Sequence, residues 1–221
     1  MPDCLTKTTG DSAAADARVA ETYETRMDAT PVDGSASHDA IICFSAGTHI
    51  QTPVGDRRVE TLAIGDHVIT RDGGPEPIRW IGQKTVRATG ALAPIRFTKG
   101  TLGNYRDLLV SPQHRMLVTK HSRSNEILIP AKQLVDHFQI ATDFGGMITY
   151  VHMLFDRHEV VFANGGPSES FFPGAGGLET LTEEARAEVF RLFPKLRSDL
   201  AGYGPPNRDI APPGYRLNHA A

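Results

Sequence analysis

From Ile41 to about residue 172 the chain is a succession of short β-rich runs, each closed by Gly, Pro, Asn or Asp. This spacing constrains the fold more than any other feature. Strands that must reverse every few residues cannot wrap helices around a parallel sheet, and they point to an all-β domain. The runs are 48–53, 57–62, 67–70, 77–86, 94–97, 107–110, 116–119, 126–129, 147–155 and 160–163. Turn signals fall between them at Pro53-Val-Gly-Asp56, Ile64-Gly65-Asp66 and Arg71-Asp-Gly-Gly-Pro75. A loop spans 99–106, one helical turn is expected over 131–135, and Trp80 is expected to anchor the core. The last two runs read as a hairpin joined near Asp156, before Asn164-Gly165-Gly166-Pro167 breaks the pattern. No solenoid or propeller period is present.

The flanks differ in texture. Residues 1–40 are rich in Ala, Asp, Thr and Ser. They read as a disordered or weakly helical tail, with helix-forming residues over 13–27 and a Pro, Gly and Ser linker over 30–37. Residues 173–221 read as a C-terminal α-helix followed by an extended, Pro-rich tail. Thr180-Leu-Thr-Glu183 fits a capping box, with Thr180 as N-cap. Leu181, Ala185, Val189, Leu192 and Leu196 then recur at helical spacing. Pro194 should end or kink that helix near Phe193.

The chain has 40% hydrophobic and 22% charged residues and a formal net charge of -3. These values fit a globular protein, with no basic run to mark a nucleic-acid partner. No apolar run is long enough to span a bilayer. The first residues lack the apolar stretch of a secretion signal, so a cytoplasmic location is the default expectation, with signal-less secretion left open. The two cysteines, Cys4 and Cys43, are expected as free thiols, and no Cys/His spacing suggests a metal or other cofactor. His49 and His67 read as surface strand residues, and Asp66 as turn chemistry.

Three segments carry functional groups: Cys43-Phe-Ser-Ala-Gly-Thr48, Ser111-Pro-Gln-His114 and His158-Glu-Val-Val-Phe-Ala-Asn-Gly165. Together with Val59-Glu-Thr-Leu-Ala-Ile-Gly-Asp66 they resemble, in order and spacing, the Hint (hedgehog/intein) domain family, and most closely its bacterial members. The resemblance covers about 41–170 and implies a horseshoe-like Hint β-fold at 41–172.

It also implies autoprocessing. Cys43 would attack the carbonyl carbon of Ile42 and convert the Ile42–Cys43 peptide bond to a thioester. The thiolate is the nucleophile, the departing amine needs a proton and the oxyanion needs donors. The resemblance gives His114 the role of polarising and protonating the scissile amide. Ser111 stands where the family motif carries Thr. A further acid/base group falls on His152 or Asp156, depending on alignment, with His158 as another candidate. For the histidines a plain strand or turn role is an equal alternative, and for Asp156 an Asx turn is the simpler reading.

Splicing needs a terminal Asn after a His, and Asn218-His219 has the reverse order. The expected substrate is therefore the chain's own N-terminal segment, released without splicing to water, a thiol, an amine or an alcohol. Ile42 is β-branched and should slow the attack. The helix near 180–193 lies where some relatives carry an acceptor-recognition appendage. A non-catalytic Hint scaffold is the alternative function, and a cysteine peptidase acting in trans is disfavoured because no substrate-binding elements are recognisable.

Overall fold

In a computed structural model, which describes residues 42–119 and 126–215, the β-rich runs form two antiparallel sheets. The tail expected over 1–40, with Cys4, and the Asn218-His219 pair lie outside the described residues.

The first sheet holds β1 (Phe44–Ser45), β6 (Trp80–Arg87), β7 (Ile95–Phe97), β8 (Leu108–Val110), β11 (Ile140–Thr142) and β12 (Met147–Leu154), in the order β11-β7-β8-β1-β12-β6. The second runs β10-β9-β14-β13-β2-β3. Its strands are β2 (His49–Thr52), β3 (Gly55–Arg58), β9 (Arg115–Thr119), β10 (Glu126–Pro130), β13 (Val160–Ala163) and β14 (Gly166–Glu169). A side ribbon of β4 (His67–Thr70) and β5 (Gly74–Pro77) joins the second sheet through β13. Alternation on the short strands explains their pairing. β7 and β8 each bury their first and third residues, and these feed a core with Phe44, Ile50, Val68 and Val151.

The expected hairpin between 147–155 and 160–163 does not form. β12 pairs with β1 and β6, whereas β13 pairs with β14, β2 and β4. Both runs are buried on both faces over much of their length, so their periodicity carries no information about partners. The true hairpin is β13–β14, turned by Asn164 (φ 48°) and Gly165 (φ 87°). Two successive positive φ values match the twist of antiparallel strands, and Asn-Gly supplies them at low cost. Asn164 is also buried, accepting from His49 N–H (2.8 Å) and donating to Asp107 C=O (2.8 Å).

The C-terminal helix starts later than the capping box predicts. A short helix, α1 (Ala175–Glu179), precedes it, and Thr180 donates to the Gly177 carbonyl at 2.7 Å. Thr182 caps α2 (Glu183–Leu192) instead, accepting from Ala185 N–H at 3.2 Å. The helix ends before Pro194, which opens a 3-10 turn, Pro194–Arg197. This region builds a second core from Leu178, Ala185, Val189, Leu196 and Tyr203 against Ile42, Trp80, Leu154 and Phe171.

As far as it is described, the segment after Tyr203 is tied to the sheets. Ile210 bridges Leu128 in parallel, and Arg208 binds the Glu126 carboxylate (2.9 Å) and Asp72 (2.8 Å). Asp156, read as a turn residue, is paired with Arg79 at 2.6 Å. Asp66 does serve its turn, accepting from Ala63 N–H and Arg57. His67 is exposed on its strand, as expected, and His49 is half-buried. Among the described residues no helix is long and apolar enough to cross a membrane. Among them, too, no group of three or more His, Cys, Asp or Glu side chains is placed to hold a metal ion.

Candidate active site

Cys43 sits at the mouth of β1, where the two cores meet. Ile42 belongs to the helical core, Phe44 to the sheet core, and Cys43 packs with Val86 and Tyr150. The backbone is fixed from the β8 side, because Ser111 N–H donates to the Cys43 carbonyl at 3.1 Å. Cys43 is a free thiol and 1% exposed. Burial pushes its pKa well above the ordinary thiol value, and the Lys84 ammonium opposes this only in part.

His152 comes from the half of β12 that is buried on both faces. Its Nδ1 lies 3.0 Å from the Ile42 carbonyl oxygen, and Cys43 Sγ lies 3.3 Å from Nδ1 and 3.2 Å from Nε2. A carbonyl oxygen only accepts, so Nδ1 carries the proton of the neutral ring. Nε2 is then left with the lone pair, and the thiol, nearly equidistant from both nitrogens, rests against the ring. Burial holds the imidazolium pKa down to about 4, opposed by the Ile42 carbonyl. At neutral pH the ring is an uncharged base.

The ring is held by aromatic neighbours. Phe171 meets it edge-on with centroids 5.1 Å apart, and Trp80 lies at 6.1 Å. Trp80 donates to Glu188 of α2 at 2.9 Å. Gly82, directly across from His152 in the ladder, makes room for that indole. A Cβ there would stand 2.4 Å from a Trp80 ring carbon.

The nitrogen side of the same peptide bond is held by Ser111. Its Oγ accepts from Cys43 N–H at 2.9 Å. His114 follows in the same turn, with its N–H on the Ser111 carbonyl at 3.0 Å and its own carbonyl accepting from Ala131. The His114 ring does not reach the Cys43 backbone nitrogen by hydrogen bond. It packs edge-on against Phe44 at 4.5 Å, and among the described residues neither ring nitrogen has a hydrogen-bond partner, although the side chain is buried. Burial brings its pKa down to about 4, against the opposing charge of Glu169.

His158 is not gathered into this group. Asn207 N–H donates to its Nδ1 at 3.0 Å, so the neutral ring carries its proton on Nε2, 3.2 Å from Glu169 Oε2 but off the line of a hydrogen bond. Glu169 is the buried anion that the sequence reading missed. It accepts from Arg115 N–H (2.7 Å) and the Arg115 guanidinium (2.9 Å). Burial alone would raise its pKa, but Arg115 and His158 outweigh this and hold it below the ordinary value. No strand was legible there, so nothing in the sequence marked Glu169 as facing inward. Gly82 did leave a signal, as a glycine inside an otherwise continuous strand pattern.

Cys43, Ile42, Ser111 and His152 therefore converge on one peptide bond, His114 stands beside them, and His158 serves a neighbouring network. The family model described as Hint domain matches residues 42–175. Among solved structures, a bacterial intein-like domain from Clostridium thermocellum is 13% identical. That match covers 58% of this chain and 97% of that chain at a TM-score of 0.45. The AceL NrdHF class 3 split intein, in a splice-inactive variant, is 18% identical, with 58% and 96% coverage and a TM-score of 0.42. The gp41-1 intein is 11% identical, with 57% and 96% coverage and a TM-score of 0.39. A comparison with curated proteins gave no match.

Proposed function

Because this chain belongs to the Hint domain family, we propose that it processes its own backbone at the Ile42–Cys43 bond through an N-to-S acyl shift, without splicing. The thiol proton passes to His152 Nε2 as Sγ bonds to the Ile42 carbonyl carbon. The oxyanion that forms is held by the Nδ1–H already directed at that oxygen. The C–N bond then breaks and the nitrogen takes up a proton. The products are an Ile42 thioester on Cys43 and a free Cys43 α-amine.

One observation carries the reading: two side chains grip a single peptide bond, His152 on its oxygen at 3.0 Å and Ser111 on its nitrogen at 2.9 Å, with the nucleophile 3.2 Å from the same imidazole. The proton that leaves the thiol balances the one the departing nitrogen gains; His114, beside Ser111, is assigned its delivery, and both rings end neutral. Among the described residues neither nitrogen of the buried His114 ring has a hydrogen-bond partner, and proton transfer gives the pair a use. His158 is given a positioning part only, through Glu169.

The burial of Cys43 favours a second reading, a non-catalytic scaffold, because a thiol held neutral is a poor nucleophile. Incubation of purified full-length protein with excess thiol, followed by intact mass measurement, separates the two. The acyl-shift reading expects fragments 1–42 and 43–221 from the wild type and none from Cys43→Ala. A stable full-length mass, with Cys43 unreactive to alkylation in the native state, supports the scaffold.

A further inference from the structure

Beside the acyl side of the candidate bond lies a cavity of about 330 Å³, walled by Ile42, Gln113, Arg115, Phe172, Ile210 and the glycines of the 174–177 turn. Two features give it a chemical character. The first is size. Gly174, Gly176 and Gly177 bring no side chains to the wall, and Ile210 is fixed there by its bridge to Leu128. The volume is at the lower end of the range for ligand sites, roughly 300–1,000 Å³.

The second feature is charge. The wall contains one cation, Arg115, and no carboxylate. Among the described residues Arg115 engages a single side-chain partner, Glu169, through NH1 at 2.9 Å. A guanidinium offers five N–H donors in a fixed fork, so donors remain for a ligand. Gln113 adds a neutral amide to the same wall.

We propose that this cavity is the acceptor site for the thioester, and that it selects a small nucleophile, a thiol or an amine, bearing an anionic group that Arg115 binds. The proposal rests on the acyl-shift reading. In the resolving step the acceptor's sulfur or nitrogen bonds to the Ile42 carbonyl carbon, the bond from that carbon to Cys43 Sγ breaks, and the acceptor's proton ends on the Cys43 thiol. The tail leaves as a new thioester or amide ending at Ile42.

The test compares release of residues 1–42 by three probes at matched nucleophile concentration: 2-mercaptoethanesulfonate, which is anionic, 2-aminoethanethiol, which is cationic, and hydroxylamine, which is small and neutral. One charge-assisted contact predicts about tenfold faster release by the sulfonate than by the amine, with the ratio shrinking as salt is added. Gln113→Glu puts an anion in the same wall as Arg115, and should abolish or reverse the ratio. Equal rates for the two thiols, or a ratio unmoved by Gln113→Glu, overturn the acceptor site while leaving the acyl shift standing if hydroxylamine still releases the tail. Absence of release by all three probes overturns the acyl shift and the acceptor site together.

Discussion

Cys43, His152 and the Ile42 carbonyl make a three-way contact in which one imidazole faces both the nucleophile and the oxygen it would charge. Removing that ring by His152→Ala should cost both effects. Loss of a positioned base is worth ~10²–10⁴-fold and loss of an oxyanion donor ~10²–10³-fold, so thiol-induced cleavage should fall by at least about 100-fold. Ser111→Ala leaves the buried Cys43 N–H without its hydroxyl acceptor and should destabilise the fold by about 1–3 kcal/mol, read as a lower denaturation midpoint. The buried histidines also set a pH dependence. His114 and His152 have folded pKa values of about 4, below the ordinary 6.5, so the unfolded chain takes up their protons first. Stability is full above about pH 6.5 and is lost as pH falls toward 4, by up to about 3 kcal/mol per ring at ~1.4 kcal/mol per pH unit. Urea titrations at pH 7 and pH 4.5 check this, and His114→Gln should flatten the difference. At this scale the sequence announced Cys43, Ser111 and His114 through their motif. It left His152 level with His158, with Asp156 read as a turn residue, because which strand residue meets the carbonyl depends on ladder register.

At the scale of elements, the turns were legible and the partners were not. Gly, Asp and Pro at 53–56, 64–66 and 71–75 marked real reversals because those positions need special backbone angles. The pairing of β12 with β1 and β6 could not be read from a strand buried on both faces over its inner half. The same burial explains why Gly82 matters. The Trp80 indole lies over it and flanks His152. Gly82→Ala forces the ring aside, and overpacking of this kind costs about 1–3 kcal/mol. The account expects a lower urea midpoint together with slower cleavage. A variant of unchanged stability and rate would show that the indole does not position His152.

Over the whole molecule, the segment beyond the matched residues 42–175 is part of the site's support. α2 and the turns after it bury Ile42, the acyl residue of the proposed shift, with Trp80 and Phe171. The amphipathic spacing from Leu181 to Leu196 foretold a packed helix, but nothing in it named Ile42 as the surface it packs on. Leu196 is 2% exposed, and Leu196→Ala should cost about 2–5 kcal/mol. Emission from Trp80, the single tryptophan, should redden in that variant if the helical core loosens. An unchanged spectrum and midpoint would make this segment an independent appendage. The central claim, a thioester between Ile42 and Cys43, is tested most directly by hydroxylamine trapping without added thiol. The account predicts a fragment whose mass corresponds to residues 1–42 ending in a hydroxamate, absent from Cys43→Ala and strongly reduced in His152→Ala. A wild-type protein that keeps its full-length mass after trapping, or Cys43→Ala protein that yields the same fragment, would contradict it.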